Sequence, residues 1–301
     1  MPSNEQRRQA AKRKLERQLA RRAERAKRRR TRLATITVIA VLVIGGGIAL
    51  IVTTRGGSSQ ASGTSPTTSA APPPAKTSGG PCKYTSTPSQ PAPKGKNEGL
   101  PTDPNPTPKT GTVALTLKTN DGDIPLTLDR TEAPCTVQSF VYLAQKTYFN
   151  NTPCHRLTDY TTPPLNVLQC GDPTGTGSGG PGFTIPDEKP KNLKPAPTTA
   201  PPSQGEEAAD IYPAGTLAMA NTGQPNSGGS QFVRVYADSQ LPPDYTVFGT
   251  IAPEGLTTLH KIAAAGLTPG TDPNSGSPTP NDGKPKMAVT IQQAVVGSAS
   301  S

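Results

Sequence analysis

Three separated stretches hold the residues most able to do chemistry. They are His155-Arg156-Leu157, Gln169-Cys170-Gly171-Asp172, and the run from Ala214 to Gly249, AGTLAMANTGQPNSGGSQFVRVYADSQLPPDYTVFG, which includes Asn221 and Gln231. Arg156 brings a guanidinium, always charged and rigid, able to act as a fixed hydrogen-bond donor. In a dry pocket such a donor acts more strongly than in water. Read singly, each stretch has a plainer meaning. Arg156 could be a surface arginine on a strand, and Asn221 and Gln231 could be turn or strand-edge polar groups. The Gly/Ser-rich run alone could be a loop. His155 reads as structural and His260 as an exposed helix residue. The four cysteines, Cys82, Cys135, Cys154 and Cys170, contain no CxxC pair, so no zinc site is expected. No metal or other cofactor is expected at all. Disulfides in any of three pairings compete with free buried thiols.

Taken together and in this order, the stretches resemble the cyclophilins, the peptidyl-prolyl cis-trans isomerases that bind cyclosporin. The shared core is Leu217-Ala218-Met219-Ala220-Asn221, then Asn226-Ser227-Gly228-Gly229-Ser230-Gln231-Phe232, then Val247-Phe248-Gly249. The chain looks most like a membrane-anchored bacterial, actinobacterial-like form. The resemblance covers 112–296, a little over half the chain. It implies a mainly β fold, a closed eight-stranded antiparallel barrel capped by two helices.

The implied reaction is rotation about the X-Pro peptide bond. That rotation has a barrier of about 18–20 kcal/mol, and unaided it takes tens to hundreds of seconds. No covalent step is required. The ring must be held, the preceding carbonyl allowed to swing, and the nitrogen stabilised once its lone pair is no longer delocalised. The resemblance assigns Arg156 as that donor and Gln169 as the residue that orients it and contacts substrate backbone. It assigns Ala220 and Asn221 to the extended peptide, Gln231 to the same groove, and Gly175 to the loop beside the site. The proline pocket falls at Val167, Val233, Leu241 and Tyr245. Here the chain departs from the family pattern. The usual Phe-Met pair falls at Asn166 and Val167, the second aromatic at Val233, the usual tryptophan at Gln240 and the usual histidine at Tyr245. Leu165 replaces Asn166 if the loop shifts. A less aromatic pocket implies weak cyclosporin binding. It also leaves a second reading open: a peptide-binding or chaperone module on the same fold with little catalysis. For the cysteines, the resemblance implies Cys154–Cys170 across adjacent strands and Cys82–Cys135 at the start of the first helix.

The elements that must position these groups are partly visible. Val113–Thr119 alternates apolar and polar residues, as a half-buried strand does, and Ile124–Leu128 returns after an Asp-Gly turn. Residues 133–144 read as a helix, with Pro134 in its first turn and Val137, Phe140, Val141 and Ala144 on one face. Gly255–Ala265 reads as a second helix and Met287–Val296 as a closing strand. The domain is expected over 111–297. Residues 189–212, proline-rich and without apolar periodicity, read as a surface insertion.

Composition divides the rest. The chain of 301 residues carries 36 Pro and 30 Gly and is only 32% hydrophobic, so much of it must be linker rather than core. Its net charge of +10 belongs to one tail: residues 1–32 hold fourteen Lys and Arg against Glu5, Glu16 and Glu24. That tail, rich in helix formers, is expected to be a cytoplasmic helix that sets topology and meets anionic lipid headgroups. It has no aromatic residue to stack on bases, so a nucleic-acid partner is not expected. Residues 33–54 carry no charge and at about 1.5 Å per residue span about 33 Å, the length of a transmembrane signal anchor. The positive-inside rule then places the N-terminus in the cytoplasm and the folded domain outside, on a single-pass membrane protein. Residues 55–110, rich in Pro, Ser, Thr and Gly, read as a disordered linker. The expected substrates are proline-containing exported polypeptides, and the expected state is a monomer.

Overall fold

The computed structural model describes residues 73–197, 208–272 and 276–300. The basic tail, the apolar segment 33–54 and the first part of the linker lie outside the described residues. Among the described residues no helix is long and apolar enough to cross a membrane.

The segment 73–110 is packed against the domain. Its strand β1 (Thr85–Ser86) pairs with a strand at residues 183–184. Cys82 and Tyr84 are fully buried in the main core. The Asp103 carboxylate accepts from the backbone N–H groups of Cys82 and Lys83 and from the Ser78 hydroxyl. Composition misjudges this stretch because a disulfide, Cys82–Cys135, ties it to a core supplied elsewhere in the chain.

Strand β2 (Thr112–Thr119) buries Val113, Leu115, Leu117 and Thr119 in alternation, and β3 (Gly122–Asp129) returns Ile124, Leu126 and Leu128 to the same core. Helix α1 (Pro134–Gln145) has proline in its first turn and no side-chain cap of its own on Ala133. The orphan N–H groups of that turn are met from a distance: the Glu188 carboxylate accepts from Cys135 N, Thr136 N and Thr136 Oγ1 at 3.1, 2.8 and 2.7 Å. Phe140 of this helix meets Phe149, Phe232 and Phe248, with ring centroids 4.7 to 5.1 Å apart.

The chain continues through β4 (Thr152–Pro153), β5 (Arg156–Thr158), β6 (Tyr160–Thr161), β7 (Pro164–Cys170) and β8 (Phe183–Thr184), the partner of β1. Next come β9 (Lys194–Pro195), β10 (Asp210–Tyr212), β11 (Thr216–Met219), β12 (Phe232–Ala237), β13 (Ser239–Leu241) and β14 (Val247–Ile251). Helix α2 (Pro253–Ala264), β15 (Leu267–Thr271), β16 (Pro278–Pro285) and β17 (Thr290–Ser300) complete the order. The main sheet is antiparallel and runs β15-β16-β5-β7-β12-β11-β14-β3-β2-β17-β4, with β6 on β7.

The architecture is therefore mainly β with two helices, but the ladder is an open path and not the expected closed eight-stranded barrel. It is interrupted where the chain changes partner. Cys154 N–H donates to Val289 O and the next residue, His155, donates to Gln169 O. So β4 ends against β17 and β5 begins against β7.

Two further expectations change. In the segment 189–212, β9 and β10 join β13 in a small sheet, and Tyr212 is fully buried. The segment is thus strand in part: β9 lies at the surface, exposed at both residues, and among the described residues burial is complete only at Tyr212. Residues 267–285, which showed no strand pattern, form the β15–β16 hairpin, docked on β5 through Asp282 and Gly283.

Candidate active site

Strand alternation builds this site. Successive side chains on a strand point to opposite faces. On β7, Leu168 and Cys170 enter the main core, while Leu165, Val167 and Gln169 take the other face. On β12, Phe232 and Tyr236 go inward, and Val233 and Val235 share the face of Gln169, which Gln231, just before the strand, also reaches. The register sets Arg156 directly opposite Gln169, and Gln169 opposite Val233. One face of a three-strand patch thus carries a guanidinium, two carboxamides and an apolar strip.

Hydrogen bonds join the polar members in one line. Arg156 Nη1 donates to Gln169 Oε1 at 3.1 Å. Gln169 Nε2 donates to Gln231 Oε1 at 2.8 Å. Gln231 Nε2 donates to the carbonyls of Gly177 and Gly179, both at 2.9 Å. Those carbonyls are fixed by Asp172, which is fully buried. Its Oδ1 accepts from Thr174 N and Oγ1, and its Oδ2 from the N–H groups of Thr176, Gly177 and Gly179. Burial alone would raise the Asp172 carboxyl. The hydrogen bonds from Thr174, Gly179 and Gly177 outweigh burial and hold its pKa below the usual carboxylate value. Gly175 sits inside this loop at φ +66, where an added Cβ would lie 2.9 Å from Pro153.

On its other side Arg156 meets Asp282, a residue that sequence reasoning missed. Nε donates to Oδ1 at 2.8 Å and Nη2 to Oδ2 at 2.7 Å, a bidentate pair. These bonds, against the opposing effect of burial, raise the Arg156 pKa further above its ordinary value. His155, next in the chain, is half-buried, and burial lowers its pKa, so its ring is neutral near pH 7. His260 is exposed on α2, with Nε2 bonded to Tyr236 O at 2.7 Å.

A cavity of about 470 Å³ opens beside the line, walled by Gln169, Gln231, Ala220, Asn221 and the glycine loop. Thr87, Gln90 and Pro91 of the N-terminal segment close its far side. The Asn221 side chain is already engaged within the chain: Nδ2 donates to Asp244 O, and Oδ1 accepts from Gly223 N.

The expected proline-pocket residues gather in a second apolar cluster. Val167, Val233, Val235, Ala218 and Tyr212 are its buried members, with Leu165, Ala220, Leu241 and Tyr245 packed against them. Leu165, not Asn166, lies on this face. Asn166 takes the other, its N–H bonded to Ser239 Oγ at 2.9 Å. Gln240 lies opposite Ile211 in the small sheet. Tyr212 supplies an aromatic ring where Val233 is small. It stands edge-on to Tyr245 at 6.5 Å, and its hydroxyl reaches Pro242 O and Tyr245 O. No apolar periodicity marked this residue.

Both disulfides, Cys82–Cys135 and Cys154–Cys170, are present. The second joins β7 to the segment between β4 and β5, beside Arg156 and Gln169. Arg234, turned inward from β12, is fully buried, with Nη2 against the Cys154 and Cys170 sulfurs. Its Nε and Nη1 have no partner among the described residues. Burial lowers its pKa to about 9.

Comparison with known proteins bears on this geometry. A Mycobacterium leprae protein named as a probable peptidyl-prolyl cis-trans isomerase B is 48% identical over 97% of this chain and 98% of its own length. A Mycobacterium tuberculosis protein of the same name is 47% identical over 72% of this chain, and the match spans 64% of that protein. A crystal structure of a Cryptosporidium parvum cyclophilin type peptidyl-prolyl cis-trans isomerase aligns with a TM-score of 0.44 at 25% identity, covering 62% of this chain and 98% of that one. The family model described as cyclophilin type peptidyl-prolyl cis-trans isomerase/CLD matches residues 114–296, most of the described domain. The chain belongs to the cyclophilin-type peptidyl-prolyl cis-trans isomerase family.

Proposed function

We propose that the chain is a peptidyl-prolyl cis-trans isomerase in which Arg156 stabilises the twisted amide. The observation that carries this is the line Arg156–Gln169–Gln231, fixed at both ends and bordered by an apolar wall. The wall holds the ring, the extended chain lies along Ala220 and Asn221, and the guanidinium donates toward the nitrogen as its lone pair localises. Donors aimed in advance cost no reorganisation at the moment of rotation. Arg156→Ala in the full-length chain is expected to cut turnover of a short X-Pro peptide at least tenfold with the fold intact. Unchanged turnover would refute the role of Arg156.

In this reading the domain stands outside the cell on an anchor at 33–54, with 1–32 in the cytoplasm against anionic lipid. Its substrates are proline-containing exported polypeptides, met by a monomer. Protease added to intact cells is then expected to remove the domain and spare the first 50 or so residues. Recovery of the whole chain from the cytosol would sink the topology. Cyclosporin is expected to bind weakly, because Val233 and Gln240 stand at the family's aromatic positions; nanomolar inhibition would reject that.

One observation favours the second reading, a peptide-binding module. Val167 and Val233 are only 1% and 6% exposed, so the apolar wall offers little open surface to a ring. Peptide binding without acceleration in the same assay would select it.

A further inference from the structure

We infer that Asp282 is a positioning residue for the guanidinium of Arg156, delivered to it by the β15–β16 hairpin. The inference rests on the proposed role of Arg156 and adds a residue to it.

A guanidinium has five N–H groups. Three are used: Nε on Asp282 Oδ1, one Nη2 hydrogen on Asp282 Oδ2, and one Nη1 hydrogen on Gln169 Oε1. The bidentate pair takes the Nε–Nη2 edge and fixes the plane of the group. The carboxamide takes one position at the far tip. What stays available is the second hydrogen on Nη1 and on Nη2. Neither Asp282 nor Gln169 alone sets both the plane and the tip.

Asp282 is itself placed by backbone contacts. It pairs with Thr158 two residues beyond Arg156, and Gly283 pairs with Leu157. Asp159 N–H donates to Asn281 O, and Thr279 Oγ1 donates to Asp282 O. At Gly283 an added Cβ would lie 2.0 Å from Thr268 O, so β15 presses directly on the residue after Asp282. The carboxylate is therefore preset, not a floating surface partner.

Two effects of the carboxylate oppose each other. It orients the donor, and it weakens the positive field that the guanidinium projects. The side chains of Arg156 and Asp282 are 38% and 22% exposed. Solvent reaches both and screens the field effect. Orientation is not screened: a released arginine spreads its donors over many rotamers. Orientation wins, and removing the carboxylate slows the reaction.

The experiment measures kcat and KM for a short X-Pro peptide with the full-length chain. The variants are Asp282→Asn, Asp282→Ala, Asp282→Glu, Arg156→Ala and the double variant Arg156→Ala/Asp282→Asn, each checked by thermal unfolding. Asp282→Asn, nearly isosteric, serves if Asp282→Ala fails to fold. The expected result is a fall in kcat of about tenfold for Asp282→Asn with KM within about twofold. Asp282→Glu recovers most of the rate, and the double variant is no slower than Arg156→Ala alone. Equal or faster turnover in Asp282→Asn, or an additive loss in the double variant, overturns the inference while leaving Arg156 its role. Unchanged turnover in Arg156→Ala overturns that role and this inference with it.

Discussion

Asp172→Asn is the most direct probe of how the site is built. The carboxylate accepts from Thr174 N and Oγ1 on one oxygen and from three backbone N–H groups, those of Thr176, Gly177 and Gly179, on the other. An amide of the same shape has one acceptor oxygen and one NH₂. In either orientation, at least one backbone N–H faces another donor, and the remaining bonds lose their charge assistance. Hydrogen bonds to a charged group contribute about 1.5–3 kcal/mol each, and an unmet buried donor costs about 1–3 kcal/mol. The bonds are not additive, and water reaches the exposed Thr176 side of the loop, so the expected loss is about 2–4 kcal/mol. The assay is urea unfolding of the wild-type chain and the variant at several pH values. The folded-state pKa of Asp172 lies below its ordinary value, so its contribution is present above the unfolded-state pKa of about 3.9. It is lost as pH falls through the folded-state value. The stability difference between the two proteins should therefore be flat above about pH 5 and shrink below about pH 4. The loop carbonyls also hold Gln231, so kcat/KM should fall severalfold at pH 7. A variant within about 0.5 kcal/mol of wild type at pH 7, or a difference that grows as pH falls, would refute the account of the loop.

Arg234→Met should stabilise the domain by about 1–3 kcal/mol in the same unfolding assay. It keeps an unbranched side chain and removes a buried cation that no carboxylate among the described residues compensates; a destabilised variant would show that the contact with the two sulfurs outweighs desolvation. Removing the Cys82–Cys135 bridge by paired serine substitutions opens a 53-residue loop and should cost about 2–4 kcal/mol. Limited proteolysis should then cut first within 73–110, and cleavage elsewhere would count against that segment's dependence on the disulfide.

Much of the scaffold was legible because its causes are local. The alternation of Val113, Leu115 and Leu117 is a property of the strand itself, and the hairpin followed from it. Pro134 and the spacing of Val137, Phe140 and Ala144 marked α1 without reference to anything else. The helix begins at Pro134, one residue after the expected Ala133, and α2 begins at Pro253, two before the expected Gly255. The resemblance points to Arg156, Gln169 and Gln231, and the structure joins Arg156 to Gln169 and Gln169 to Gln231 by hydrogen bonds.

Other features arise only when distant segments meet. Asp282 lies in a run of Pro, Thr, Asn and Gly whose strand buries only Pro285, so no apolar period announces it. Its strand exists because β15 and β5 supply backbone partners. Leu165 and Val167 meet Val233 and Val235 only because β7 pairs with β12, in a ladder whose register shifts between Val235 and Ala237. Tyr212 ends a proline-rich insertion, and its burial comes from a cluster that distant strands assemble, with Val167, Ala218, Val233 and Val235. Residues 73–110 look unable to bury a core, yet Cys82 and Tyr84 join one, tied by a disulfide to Cys135, 53 residues on from Cys82. The sequence by itself determined the repeating patterns of strand and helix and the chemical groups available. The tertiary structure decided which carboxylate holds the arginine and which ring fills the apolar wall, because those contacts depend on pairing register between segments far apart in the chain.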